Sequence, residues 1–136
     1  MTNIQFLIVT SWDSESIIQL YSEAGWWRND YDPAEIPNLI LGSFIFMVGI
    51  DQDTQKTVAM GRIISDRLST AIIQDMCVLH QYRGEGIGRK LLAELTSAAA
   101  KSGINRIMLV AETGTREFYK KSGFKSNYNQ IFLLKN

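Results

Sequence analysis

The sequence predicts a mixed α/β (α+β) domain, a mostly antiparallel central sheet with helices packed on its faces. Three observations carry this. Apolar runs at Phe44–Ile50, Thr57–Ser65 and Ala71–Leu79 are separated only by the polar joints "DQDTQK" and "DRLST", the pattern of antiparallel hairpins. From Gly86 the apolar period becomes helical, with Ile87, Leu91, Leu92, Leu95, Ala98 and Ala99 on one stripe. A further strand-like run, Ile104–Val110, then completes a strand–helix–strand crossover.

The elements follow in order. Ile4–Val9 is a short apolar run suited to a buried strand. Asp13 or Ser14 caps a helix whose Ile17, Ile18, Leu20, Tyr21 and Ala24 share a face, and Gly25 stops it. "WWRNDYDPAEIPN" holds two prolines and two tryptophans without a clean period; it reads as a long loop or a short helix. The three strands and the long helix come next, the helix closing near Gly103. Thr113–Ser122 reads as a short helix stopped by Gly123, and the tail, from Phe124 and at Ile131–Leu134, as a final pair of strands around "SNYNQ". A single domain over residues 1–136 is expected.

Composition narrows the function classes. Fourteen basic residues balance fourteen acidic ones, so no global field draws the chain to nucleic acid or to an anionic membrane. The longest apolar run, "FIFMVGI", is far shorter than the roughly 20 residues of a membrane helix. Cys77 is the only cysteine and His80 the only histidine. An internal disulfide and a Cys/His zinc site are therefore excluded. "MTNIQFLIVT" lacks the basic start and cleavage site of a signal peptide, and a cytoplasmic protein without a metal is expected.

The most informative stretch is "HQYRGEGIGRKLL". A P-loop would need Gly-Lys-Ser/Thr, which is missing, and a dinucleotide fingerprint begun at Gly84 and Gly86 would need glycine where Arg89 stands. What remains is R-x-x-G-x-G over Arg83, Gly86 and Gly88, between an apolar strand and an apolar-faced helix. Free N–H groups of a first helical turn, the helix dipole and the absence of Cβ atoms suit an anion. With Arg83, Arg89 and Lys90 around the loop, a diphosphate is the natural occupant.

"DMCVLHQYRGEGIGRKLL" resembles the acetyl-CoA-binding motif of the GCN5-related N-acetyltransferase (GNAT) superfamily, and the order of elements is similar to that fold nearly end to end. The resemblance implies that Arg83, Gly84, Glu85, Gly86, Ile87, Gly88 and Arg89 hold the pyrophosphate of CoA. It also implies a preceding strand, splayed from its neighbour, that binds the pantetheine arm and the acyl oxygen through the backbone of Met76, Cys77 and Val78. A second motif, "REFYKKSGF", is similar to the family's F-Y-x-x-x-G-F pattern. By that resemblance Tyr119 is the general acid for the departing thiolate and Phe118 adjoins the cofactor. Because a phenol titrates near 10 and a thiol near 8.5, the proton moves only as the thiol forms.

The implied reaction is direct acyl transfer from acetyl-CoA to the amine of a small-molecule acceptor. Asp75, two residues before Cys77, is the candidate general base, with Glu112 beside the end of the later strand as a further one. Cys77 has no histidine placed to activate it. Thr113 and Thr115 stand where many family members have an asparagine that contacts the cofactor arm. Tyr21, Trp26, Trp27 and Arg28 are expected at the acceptor pocket, aromatics suiting a cationic amine and Arg28 a carboxylate. A non-catalytic acyl-CoA-sensing module or a protein-directed acetyltransferase would share the loop, and exposed C-terminal strands leave room for a homodimer.

Overall fold

The computed structural model describes residues 2–136. Five strands, β1 (Ile4–Ile8), β2 (Ile45–Asp51), β3 (Lys56–Ser65), β4 (Thr70–Val78) and β5 (Arg106–Leu109), lie in that order across one sheet. The first four pair antiparallel and β5 joins β4 in parallel, because helix α3 (Ile87–Lys101) carries the chain back over the sheet. The first five strands begin and end within two residues of the apolar runs that predicted them.

The helices cover opposite faces. On one, the Cys77 Sγ donates to the Leu20 carbonyl of α1 (Ser14–Glu23) at 3.3 Å. On the other, a Cβ added to Gly61 of β3 would lie 2.8 Å from Leu95 of α3. Leu91, Leu92 and Leu95 of α3 are buried, each contributing roughly 1.5–3 kcal/mol. Asp13 is the α1 cap, its carboxylate accepting from the Ser16 N–H at 3.1 Å.

The glycines expected to stop helices do so. Gly25, Gly103 and Gly123 are left-handed (φ 81°, 85° and 94°). The N–H groups of Trp26, Ile104 and Phe124 reach back to the Tyr21, Ala99 and Tyr119 carbonyls at 2.9, 3.1 and 3.1 Å, closing the helices in Schellman geometry. That closure turns Trp26 back across the end of α1.

The tryptophan-rich segment contains a 3-10 turn (Pro33–Glu35) and helix α2 (Ile36–Gly42), whose Ile36 and Ile40 are buried. The last helix, α4, spans only Arg116–Lys120, since Gly114 is left-handed (φ 86°) and Thr115 lies outside the helix. The tail corrects the expectation of a final strand pair. Asn127 and Gln130 form the expected turn, side chain to side chain at 2.8 Å, but among the described residues no strand follows β5. Ile131–Leu134 meet no ladder partner and remain exposed, so backbone pairing, which a strand needs, is absent there.

Candidate active site

The site begins where β4 parts from β5. The two strands pair only from Thr70–Arg106 to Ile73–Leu109, although β4 continues to Val78. Gln74–Val78 therefore keep β3 on one edge and leave the other open. At the same point β4 bulges against β3. Met60 pairs with Cys77 but Arg62 with Gln74, so Asp75 and Met76 together face Gly61.

Asp75 adopts φ 57°, a conformation that costs a non-glycine residue about 1–3 kcal/mol and is least costly for Asn and Asp. Its side chain is held from two directions. Oδ2 accepts from the Tyr21 hydroxyl at 2.8 Å and from Arg62 Nε at 2.7 Å. Arg62 also reaches the Gln74 amide oxygen at 3.3 Å and the Ser43 hydroxyl at 3.4 Å. Burial, and then the Asp75 charge, push the Tyr21 phenol well above its ordinary value.

Beyond the open edge lies the glycine loop. A 3-10 turn, His80–Tyr82, leads into it, and three side chains tether it. The Tyr82 hydroxyl donates to Asp51 at 2.9 Å, Arg83 Nε to the Val78 carbonyl at 3.0 Å, and the Thr2 N–H to the Glu85 carboxylate at 3.1 Å. That last bond holds the Glu85 carboxyl below the usual range. Gly84 and Gly86 are left-handed (φ 85° and 80°) with open space where a Cβ would be, so the turn itself requires them.

The first helical bond of α3 runs from the Lys90 N–H to the Gly86 carbonyl at 3.1 Å, and no side chain caps the helix. The N–H groups of Ile87, Gly88 and Arg89 thus face outward without intrahelical acceptors. Arg89 and Lys90 are exposed beside them. Gly88 also joins the two sequence motifs. A Cβ there would come 3.3 Å from the Phe118 ring and 3.8 Å from Val78, so α4 seats directly on the first turn of α3.

A cleft of about 380 Å³ occupies the gap between β4 and β5, lined by Trp26, Ile72, Ile73, Gln74, Asp75, Met76, Leu109, Val110, Glu112, Thr115 and Tyr119. Tyr119 packs edge-on against Phe118 and Phe124, with ring centroids 5.0 and 6.1 Å away. Burial, with the Glu112 charge, pushes its phenol up, so the hydroxyl stays protonated through the neutral range. The Cys77 thiol, buried against α1, is also pushed up by burial, which suits a packed side chain and not a nucleophile. A larger, shallower concavity of about 650 Å³ between β5 and the tail, at Asn105, Ile107 and Ser122–Asn129, contains none of the motif side chains.

Tyr119, Asp75, Met76 and Trp26 line one cleft, Tyr21 stands behind it on Asp75, and Arg83–Arg89 follow the end of the same strand, where Arg83 bonds the Val78 carbonyl. Trp27 and Arg28 do not line the cleft. Trp27 stacks edge-on with Tyr31 at 5.5 Å, and Arg28 pairs with Asp30 at 3.1 Å on the exposed loop. Thr113 is exposed, and the Thr115 hydroxyl donates to the Glu112 carbonyl at 2.6 Å. Sequence reasoning passed over Arg62, the partner of Asp75. Its signal was a single cation inside the apolar run "TVAMGRIIS", since a charge on a buried strand requires a counter-charge.

A family model described as the acetyltransferase (GNAT) domain matches residues 42–126. The chloroplastic GCN5-related N-acetyltransferase 2 of Arabidopsis thaliana is 33% identical over 79 residues, covering 58% of this chain and 31% of that protein. An uncharacterized N-acetyltransferase, ycf52-like, of Prochlorococcus marinus is 27% identical over 122 residues, 88% of this chain and 66% of its own length. The chain thus spans between about a third and two thirds of these curated relatives. A crystal structure from Staphylococcus aureus, described as a probable acetyltransferase of unknown function, superposes with a TM-score of 0.80 at 19% identity, covering 100% of this chain and 99% of that one.

Proposed function

The chain belongs to the GNAT acetyltransferase family, and on that premise we propose that it transfers an acetyl group from acetyl-CoA directly to the primary amine of a small-molecule or amino-acid-like acceptor. The observation that carries this reading is the open edge of β4. Gln74–Val78 run without a partner on one side, from the carboxylates of the cleft at one end to the anion-ready turn of α3 at the other.

The residues present fit acetyl-CoA. Ile87, Gly88 and Arg89 offer backbone N–H groups to a diphosphate, and Arg83, Arg89 and Lys90 add positive charge. The open edge at Met76, Cys77 and Val78 offers backbone groups to an extended arm and to the acyl oxygen. Acetyl-CoA supplies the activated acyl carbon. The Tyr119 hydroxyl, kept protonated by burial, hydrogen-bonds the departing sulfur and delivers its proton as the thiol forms. Phe118 and Val78 leave no room for a side chain at Gly88, so the glycine loop and the Tyr119 helix are packed directly together. Asp75, locked by Arg62 and Tyr21, holds the bulge from which that backbone projects.

A cytoplasmic setting accompanies this reading. Among the described residues no helix is long and apolar enough to cross a membrane.

The test has two stages. Acetyl-CoA should raise the thermal midpoint of the protein, and a panel of primary amines should then release CoA thiol. Stabilisation without thiol release on any amine would leave an acyl-CoA-binding module in place of an enzyme.

A further inference from the structure

We propose that Glu23 is a positioning residue for the diphosphate loop, capping from α1 the turn that leads into it. The proposal rests on the reading of that loop as the seat of acetyl-CoA. Glu23 is the last residue of α1, and the last turn of that helix contains no basic residue. A carboxylate there lies at the negative end of the helix dipole, where it is disfavoured. Its partner comes from across the fold. Glu23 Oε1 accepts from the His80 N–H at 2.9 Å, a bond between residues 57 apart in sequence.

The bond falls where the loop leaves the sheet. The Leu79 N–H still donates to the Val58 carbonyl of β3 at 2.9 Å. His80 is the next residue and opens the 3-10 turn, for which Leu79 supplies no side-chain cap. The first N–H groups of a helical turn have no acceptor inside it, and Glu23 supplies one from outside. The turn passes the constraint on. The Arg83 N–H donates back to the His80 carbonyl at 3.2 Å, so His80 is held at both of its backbone groups. Beyond Arg83, the left-handed Gly84 and Gly86 lead directly to the first turn of α3 and its outward N–H groups.

The same turn of α1 is tied along β4 and past its end. The Tyr21 hydroxyl donates to Asp75, the Cys77 thiol to the Leu20 carbonyl and the His80 N–H to Glu23, at 2.8, 3.3 and 2.9 Å. Trp26, turned back across the end of this helix, lines the cleft. One helical turn thus sets the acceptor wall and, through Glu23, the entrance of the diphosphate loop. The tethers from Tyr82, Arg83 and Glu85 act at later points and reach Asp51, Val78 and Thr2. None of those three ties the loop to α1.

The test deletes each half of the bond. Glu23→Ala removes the acceptor and His80→Pro the donor. Proline suits the first position of a helical turn. Leu79 already has the extended backbone (φ −55°, ψ 143°) that a residue before proline requires. His80→Pro is read against His80→Ala, which loses the same imidazole and keeps the N–H. Isothermal titration gives the acetyl-CoA Kd, and thiol release at saturating acetyl-CoA gives the hexylamine KM.

Glu23→Ala should raise the acetyl-CoA Kd roughly tenfold over the wild type, and His80→Pro similarly over His80→Ala, as expected for loss of one partly exposed hydrogen bond to a charge. The two substitutions together should raise it no further, because both remove the same bond. Glu23→Gln, which keeps an oxygen acceptor without the charge, should fall between wild type and Glu23→Ala. The hexylamine KM should not follow, since Tyr21 and Trp26 keep their own contacts. If His80→Pro does not fold, the order of wild type, Glu23→Gln and Glu23→Ala decides alone. Additive losses, or an unchanged Kd in Glu23→Ala, would overturn the proposal. So would a hexylamine KM rising in step with the Kd, because α1 as a whole would then have loosened. Undetectable binding of acetyl-CoA by the wild type would overturn the reading of the loop together with it. Binding without thiol release from any amine would overturn acetyl transfer alone, with the titration still deciding for or against Glu23.

Discussion

The two ends of the cleft are made of different materials. At the loop end the working groups are backbone: two left-handed glycines and three outward N–H groups, with Tyr82, Arg83 and Glu85 acting as tethers. At the acceptor end they are side chains from five elements or their margins: Tyr21 and Trp26 from α1 and its end, Arg62 from β3, Asp75 from β4, Glu112 after β5 and Tyr119 from α4. A backbone device leaves a local signature, because a left-handed turn demands glycine at fixed spacing. A device assembled from distant side chains leaves none, and its geometry emerges only when the sheet forms.

The largest effect should come from breaking the backbone end. Gly86→Val places a β-branched residue at φ 80°, where L-residues are strained by about 1–2 kcal/mol. Misdirecting two of the free N–H groups, each worth about 1.5–3 kcal/mol to a charged ligand, should weaken acetyl-CoA binding roughly a thousandfold. Isothermal titration measures this, and unchanged affinity would remove the loop from the site. Tyr119→Phe should act differently. It keeps the ring that packs on Phe118 and Phe124, so acetyl-CoA affinity and folding should hold while turnover falls by about a hundredfold. Turnover preserved at every pH would deny Tyr119 its acid role.

How much was legible follows the same division. β2, β3 and β4 were readable to within a residue, because strands buried on both faces are nearly continuous apolar runs that end at polar joints. R-x-x-G-x-G and "FYKKSGF" were readable because each is set by a turn. The partnership of Arg62 with Asp75 was not, since it depends on a bulge that puts Asp75 and Met76 opposite Gly61. Trp27 and Arg28 carried the right chemistry but were drawn to Tyr31 and Asp30 on their own loop. Helix α2 was legible only as one of two alternatives, a long loop or a short helix, because Pro37 and a seven-residue length leave too little for a period to show. At Ile131–Leu134 an apolar run suggested a strand, but composition cannot supply the ladder that a strand requires.

The acceptor end can be sharpened through stability. Arg62→Met should cost roughly 2 kcal/mol, because Asp75 would keep its charge and its left-handed backbone without its main partner. Arg62→Met with Asp75→Asn should recover part of that loss, since the uncompensated charge is gone. Chemical denaturation of both variants reads the difference, and equal losses would mean that the pair does not support the bulge. Gly61→Ala tests the opposite face of the same bulge. Its Cβ would meet Leu95 at 2.8 Å and Met76 at 3.1 Å, and overpacking of this kind costs about 1–3 kcal/mol.

The smallest expected effect is the most specific, because it reads Tyr21 and Asp75 together. In the folded chain the Tyr21 phenol is pushed above its ordinary value, first by burial and then by the Asp75 carboxylate to which it donates. A group whose pKa is raised on folding contributes stability that is complete below its unfolded value, near 10, and is lost as the pH climbs above it. Tyr21→Phe should therefore cost about 1 kcal/mol at pH 7, the worth of one hydrogen bond to a charged acceptor that retains Arg62. The gap between wild type and variant should then close between about pH 10 and 12. Tyr82 and Tyr119 are also pushed up, but they titrate in both proteins and cancel in the difference. A gap that stayed constant across this range would mean that the Tyr21 hydroxyl does not share its proton with Asp75, and the bulge would then be held by Arg62 alone.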